Sequence, residues 1–186
     1  MKTLFTFLAL FFSIYCFGQS GKLFTVDREL SNSIINSIYQ DKNGVIWIAT
    51  EDGLNRYDGA KFSVYKHEDE NEHSLIDNNV NVLYEDSKGH FLVGTLRGLQ
   101  LHDTATGLFT EIPLNYEDGT NTDSHITQIL ERKNGNLLVA TSGHGIYSID
   151  FTGEIPVSTP MEIDIPSLFI NQIFEDLKGN LWISTE

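Results

Sequence analysis

Three observations predict an all-β fold assembled from propeller blades. A strand–turn–strand unit recurs four times, each complete unit has room for four short strands, and no segment beyond residue 18 sustains a 3.6-residue apolar period. The units open at Ile35, Val80, Ile126 and Ile170, so the spacings are 45, 46 and 44 residues. Self-similarity at such a period marks architectures whose units bury their faces only against one another.

The first unit is read in order. Ile35-x-x-Ile38-Tyr39 and Val45 to Thr50 are rich in β-branched and aromatic residues and are separated by Asp41-Lys42-Asn43-Gly44. That tetrad has hairpin chemistry, because Asp accepts local backbone N–H bonds and Gly takes a positive φ without steric cost. The device returns at Asp86 to Gly89 and at Asp176 to Gly179, whereas the third unit places Arg132 in the Asp position and keeps Gly135. Second turns at Asp52-Gly53, Arg97-Gly98 and His144-Gly145 lead into third strands at Leu54 to Tyr57, Leu99 to His102 and Ile146 to Ile149. Fourth strands follow at Lys61 to Tyr65 and Leu108 to Ile112.

Four strands in about 45 residues is the size of one blade. The last unit stops at Glu186, so the expected fold is a β-propeller fragment, about three complete four-stranded blades plus a truncated fourth. Trp47, Leu92, Leu138 and Trp182 occupy one periodic strand-centre position and are expected in the core between blades; an exposed sugar platform is the competing reading for the tryptophans.

Residues 1–18 read as a secretory signal peptide, with Lys2 ahead of an apolar run from Leu4 to Phe17 and small residues before a cut that leaves Gln19 first. An uncleaved anchor is the alternative, and Tyr15 speaks against a lipoprotein. The remainder, 19–186, is one incomplete propeller with repeat cores at 35–58, 80–103, 126–150 and 170–186. Cys16 is the only cysteine, so the mature chain would have no thiol and must be stabilised by packing. Twenty-six acidic against 12 basic residues give a net charge of -14, which argues against nucleic-acid binding.

Loops before the first strands and after the second strands of the units are expected on one face. They supply the candidate ligand residues: Asn32, Asn78, Asn79, Asp123, Ser124 and His125 in one set, Glu51, Asp52, Arg97 and His144 in the other. Their amides and carboxylates suit sugar hydroxyls, and Arg97 suits a uronate; ordinary solvated turn residues are the competing reading. Asn36, Asn81 and Asn171 recur in the innermost strand and are expected to bond backbone within the ring. The run from His67 to His73 holds metal-ligand types, but without zinc-like spacing it reads as a flexible acidic loop. No metal or cofactor is expected. No Ser–His–Asp set, paired-carboxylate site or phosphate loop can be assembled, so no catalytic residue is assigned.

The pattern Ile-x-x-Ile-Tyr-x-Asp-x-x-Gly-x-x-Trp-Ile-x-Thr-x-x-Gly-Leu-x-x-Tyr-Asp-Gly, met from Ile35 to Gly59, resembles the two-component regulator propeller repeat. The second unit departs at Leu92 and His102, and the third at Arg132, Leu138 and the inserted loop 142–144. The resemblance implies a parent with propellers of about seven blades, a small β-sandwich, a membrane span and a cytoplasmic hybrid histidine kinase. This segment would then be the periplasmic sensor part, responsive to a glycan and acting by conformational change.

The partners so implied are an oligosaccharide, the parent's remaining blades, a second subunit in a homodimer of the complete sensor, and a membrane only through the later span. None of the kinase's glycine-rich loop, phosphoacceptor helix or receiver is seen in this segment, so it is not read as an enzyme. An extracellular carbohydrate-active propeller enzyme and a secreted interaction scaffold are the alternative readings.

Overall fold

A computed structural model describes residues 21–26, 29–115, 123–153 and 155–186. The signal-peptide expectation falls outside these residues. Among the described residues, fourteen strands form four sheets. The first sheet comprises β1 (Ile35–Gln40), β2 (Ile46–Thr50), β3 (Gly53–Tyr57) and β4 (Phe62–Tyr65). The second comprises β5 (Val80–Glu85), β6 (Phe91–Thr95), β7 (Leu99–His102) and β8 (Phe109–Ile112). The third comprises β9 (His125–Glu131), β10 (Leu137–Ser142), β11 (Ile146–Asp150) and β12 (Val157–Pro160). The fourth pairs β13 (Ile170–Glu175) with β14 (Leu181–Thr185). Every pairing is between sequence neighbours and antiparallel, the meander of a propeller blade.

The predicted hairpins form, and the Asp does more than shape the turn. Asp41 Oδ1 accepts the Asn43 and Val45 N–H groups at 2.9 and 3.0 Å, while its Oδ2 accepts the Trp47 indole N–H at 2.9 Å. One carboxylate thus ties the turn to the largest core side chain. Gly44 closes the turn at φ 83°, in the left-handed region that costs a side chain steric strain. In the second blade Asp86 repeats the backbone bonds and holds His90 Nδ1 at 2.7 Å in place of an indole. Asp176 binds both the Asn180 amide and the Trp182 indole, and these two hydrogen bonds hold its carboxyl well below the usual range. The third blade lacks the Asp; its turn closes through Arg132–Asn136 backbone bonding, and the Arg132 guanidinium reaches Gly179 O of the next blade at 2.9 Å.

Each blade has two working faces. The Trp47 face of blade one, with Ala49 and Leu54, packs on Val80, Leu83, Phe91 and Val93 of blade two. Leu92 and Leu99 on the other face of blade two meet Ile126, Ile129, Leu137 and Val139 of blade three. Leu138, Ala140 and Ile146 then meet Ile170 and Ile173 of blade four. The contacts are tight: a Cβ on Gly94, where the neighbouring blades carry Ala49 and Ala140, would lie 2.7 Å from Ile126 Cγ2.

The expectation that all four strand-centre residues are core holds for Trp47, Leu92 and Leu138, which are 0 to 2% exposed, and fails for Trp182 at 62%. The reason is geometric, since no described blade covers the Trp182 face. Asn36 behaves as expected, donating to Val80 O at 2.8 Å across the first blade boundary from a bulge in β1.

His102 stacks on Phe109 with ring centroids 4.2 Å apart and stands edge-on to Trp47 at 5.1 Å. Burial pushes its pKa down from 6.5 to about 4. A folded-state value below the unfolded one means that protons bind the unfolded chain more readily between these limits. Stability from His102 is therefore full above pH 6.5 and is lost as pH falls toward 4, by up to about 3 kcal/mol on linkage arithmetic. Urea midpoints measured at pH 7.5 and 5.0 are expected to fall with acid in the parent chain and to fall less in His102→Phe.

Candidate functional site

The loops after the second strands and those leading into the first strands do share one face, because backbone bonds stitch them together. Gly53 N–H donates to Asn78 O at 2.7 Å, Ser124 N–H to Arg97 O at 3.3 Å, and Gly143 and Gly145 N–H to Leu168 O at 3.1 and 3.0 Å. In each case the loop of one blade holds the lead-in of the next.

Third-strand side chains anchor these lead-ins from below. In blade one, buried Asn55 accepts the Ser31 N–H at 2.9 Å and donates to Ser31 Oγ at 2.8 Å. In blade two, Gln100, fully buried, accepts the Ile76 N–H at 2.9 Å and donates to Ser74 O at 3.0 Å. Gln100 thereby positions the loop 67–76. The run from His67 to His73, expected to be a flexible, solvated acidic loop, is exposed throughout, and local bonds and the buried Leu75 tie it down. His67 Nδ1 contacts Leu75 O at 2.6 Å, Glu68 N–H donates to Ser74 Oγ at 3.0 Å, and Leu75 is fully buried. Among the described residues, no three His, Cys, Asp or Glu side chains converge as metal ligands.

The folded loop walls a cleft of about 690 Å³, completed by Arg97, Glu111 and Asp123. Arg97 Nε and Nη2 both donate to Asp123 Oδ2, at 3.2 and 3.1 Å, across the boundary between blades two and three. Both side chains are exposed, so the pair is accessible from the cleft. Glu68, Asp69, Glu70, Glu72 and Glu111 make the remaining walls strongly acidic.

Of the ten candidate residues, only Arg97 and Asp123 line this cleft. Asp52 forms an ion pair with Lys66 at 2.6 Å, and Asn78 Oδ1 accepts the His67 N–H at 2.7 Å. Asn32 accepts the Ile34 N–H at 2.7 Å within its own turn, and Asn79 Oδ1 receives the Asn36 amide at 3.2 Å. Ser124 is fully buried and bonds His144 Nδ1 at 2.8 Å, a brace between two loops. His125 begins β9, and burial lowers its pKa. Glu51 is exposed and its N–H donates to Ile34 O at 3.3 Å. Gln100, Glu111 and the loop 67–76 are the residues that sequence reasoning did not assign; the Asn55/Gln100 repetition at one third-strand position was the available signal.

Four-stranded meanders packed face to face and stitched by their lead-in loops define the class as a β-propeller built of consecutive blades. Residues 29–52 and 74–97 match the model of the family described as Two component regulator propeller. Two of the four repeats of this chain, the first and the second, thus match that family's model.

Among curated proteins, a 72-residue stretch is 39% identical to Histidine kinase P4 of Formosa agariphila, covering 39% of this chain and 5% of that protein. Among solved structures, the extracellular domain assigned to the hybrid two component system BT3049 of B. thetaiotaomicron superimposes with a TM-score of 0.76 at 28% identity, over 88% of this chain and 24% of that one. The chain therefore spans about a quarter of that neighbour. A virginiamycin B lyase from Staphylococcus aureus, at 17% identity and a TM-score of 0.60, shares the fold alone.

Two substitutions separate support from contact. Gln100→Leu is expected to cost about 1–3 kcal/mol in denaturant unfolding, because it strips both bonds from the lead-in of blade two. Arg97→Ala is expected to change stability by less than about 0.5 kcal/mol, as for an exposed pair.

Proposed function

We propose that this chain is part of the extracytoplasmic sensor of a histidine-kinase signalling protein, located in the periplasm, and that it reads a carbohydrate. The observation that carries the reading is the likeness to the BT3049 extracellular domain, which extends over 88% of this chain at 28% identity. The match to a histidine kinase points the same way. The segment's contribution is binding, with signal passed as a shift between sensor conformations in proportion to the ligand's differential affinity for them.

The Arg97–Asp123 cleft is the place of contact in this reading. Of the two sequence-based expectations, sugar hydroxyls on the amides and carboxylates and a uronate on Arg97, its chemistry favours the first. The Arg97 guanidinium already pairs its charge with Asp123 through Nε and Nη2, and the other charged walls are carboxylates. A uronate would meet repulsion there, whereas neutral sugar hydroxyls can donate to Asp123, Glu111 and Glu68.

Calorimetry of the chain against neutral and uronate oligosaccharides tests this. A neutral oligosaccharide is expected to bind, with affinity reduced at least about tenfold in Asp123→Ala, the loss of one charge-assisted hydrogen bond. Absence of binding across the panel, or preference for uronates, would overturn the carbohydrate reading of this cleft.

A further inference from the structure

The second-strand loop of blade three is one residue longer than its counterparts. Gly145 stands four positions after Thr141, whereas Gly53 and Gly98 stand three after Thr50 and Thr95. In the shorter loops the threonine hydroxyl accepts the N–H two positions on, from Asp52 and from Arg97. In blade three, Thr141 Oγ1 accepts the His144 N–H, three positions on, at 3.2 Å. All three hydroxyls donate to the carbonyl of the closing glycine. His144 therefore holds the place of Asp52 and Arg97, carried outward by the extra residue.

The longer loop is fixed from its far side. Gly143 and Gly145 both donate to Leu168 O, and a Cβ on Gly143 would lie 3.4 Å from Phe169 Cε1. Held there, the half-buried His144 reaches back to the lead-in of its own blade, where its Nδ1 is 2.8 Å from Oγ of the fully buried Ser124. Ser124 is joined to blade two as well, through its N–H to Arg97 O, and the residue before it, Asp123, receives Arg97 Nε and Nη2. Equivalent loop positions of two blades, Arg97 and His144, thus converge on the dipeptide Asp123-Ser124. The Arg97–Asp123 pair is exposed and by itself fixes little. The contact of His144 with Ser124 is the better sheltered one, and it lies one residue from the Asp123 carboxylate.

We propose that His144 is a positioning residue for the cleft: by holding Ser124 it sets the Asp123 carboxylate where Arg97 and a ligand hydroxyl both reach it. The hydroxyl contact rests on the carbohydrate reading above; the placement of Asp123 does not.

Nuclear magnetic resonance of the chain, expressed from Met1 and recovered as its host processes it, tests the placement without a ligand. The Arg97 Nε–H signal, assigned by its loss in Arg97→Lys, reports the bond to Asp123, and Asp123→Ala gives its value for an unpaired guanidinium. His144→Leu and Ser124→Ala are each expected to move the signal toward that value and to speed its exchange with water about fivefold, the weakening of one ordinary hydrogen bond. His144→Asn, whose amide can stand in for Nδ1, is expected to keep the parent signal. Strand amide signals in the same spectra separate a displaced Asp123 from an unfolded chain. An unchanged Nε–H signal in His144→Leu would overturn the proposal, as would an equal change in His144→Asn.

Calorimetry with maltotriose, cellotriose and laminaritriose as neutral probes reads the consequence for binding. For a probe that binds the parent chain, His144→Leu is expected to lower affinity about fivefold, but less than about twofold once Asp123 is already Ala, because the effect runs through that carboxylate. Equal losses in the two backgrounds would overturn the positioning role. A parent chain that binds none of the probes counts against the carbohydrate reading alone, and the Nε–H signal then decides the role of His144.

Discussion

The structure depends on one contact repeated three times: a flat, aromatic or leucine-bearing face of one blade laid on the branched-aliphatic face of the next. A four-stranded sheet of 4- to 7-residue strands has too little material to bury both of its own faces. Each blade in this chain is therefore stable only through its neighbours. Trp47 illustrates the point. It lies against Phe91 of the next blade at 4.9 Å and His102 at 5.1 Å, while its indole N–H returns to the Asp41 turn of its own blade. Turn, strand and blade boundary are thus joined in one side chain, and the same logic leaves Trp182 exposed where no neighbour is described.

Binding chemistry is layered on this frame rather than built into it. The backbone bonds between a second-strand loop and the next lead-in bring separate stretches of sequence to one face. The amides of Asn55 and Gln100 hold the lead-ins from beneath. The cleft at the boundary between blades two and three follows from that arrangement, with an accessible ion pair at its edge and carboxylates around it. Rigid strands fix its position, and its loops carry its chemistry.

Much of the fold was legible because the repeat is written in residue types with physical meaning. Isoleucine or valine at the start of each first strand, Asp (Arg132 in the third unit) and Gly at the hairpin, and Gly at the second turn located the first three strands of the units to within one or two residues, whereas β12 was not read from the sequence. The site was less legible for identifiable reasons. Carboxylates and amides recur in equivalent turns, so composition could not separate Asn32, Asn79 and Ser124, whose polar groups serve the loops themselves, from Arg97 and Asp123, which face solvent in the cleft. The stretch from His67 to His73 looks like a solvated run by charge alone. Its order comes from Leu75 and from Gln100, which is 25 residues beyond Leu75, a tertiary dependence that local pattern does not carry.

The central claim, that blades stabilise one another through these paired faces, is tested most directly by a double-mutant cycle across a boundary. Trp47→Leu and Phe91→Leu, singly and together, would be compared by denaturant unfolding. The account predicts a coupling of about 1 kcal/mol between the two positions, as expected for packed aromatic partners. Strictly additive losses would contradict it, since they would mean that the two blades are stable without reference to each other.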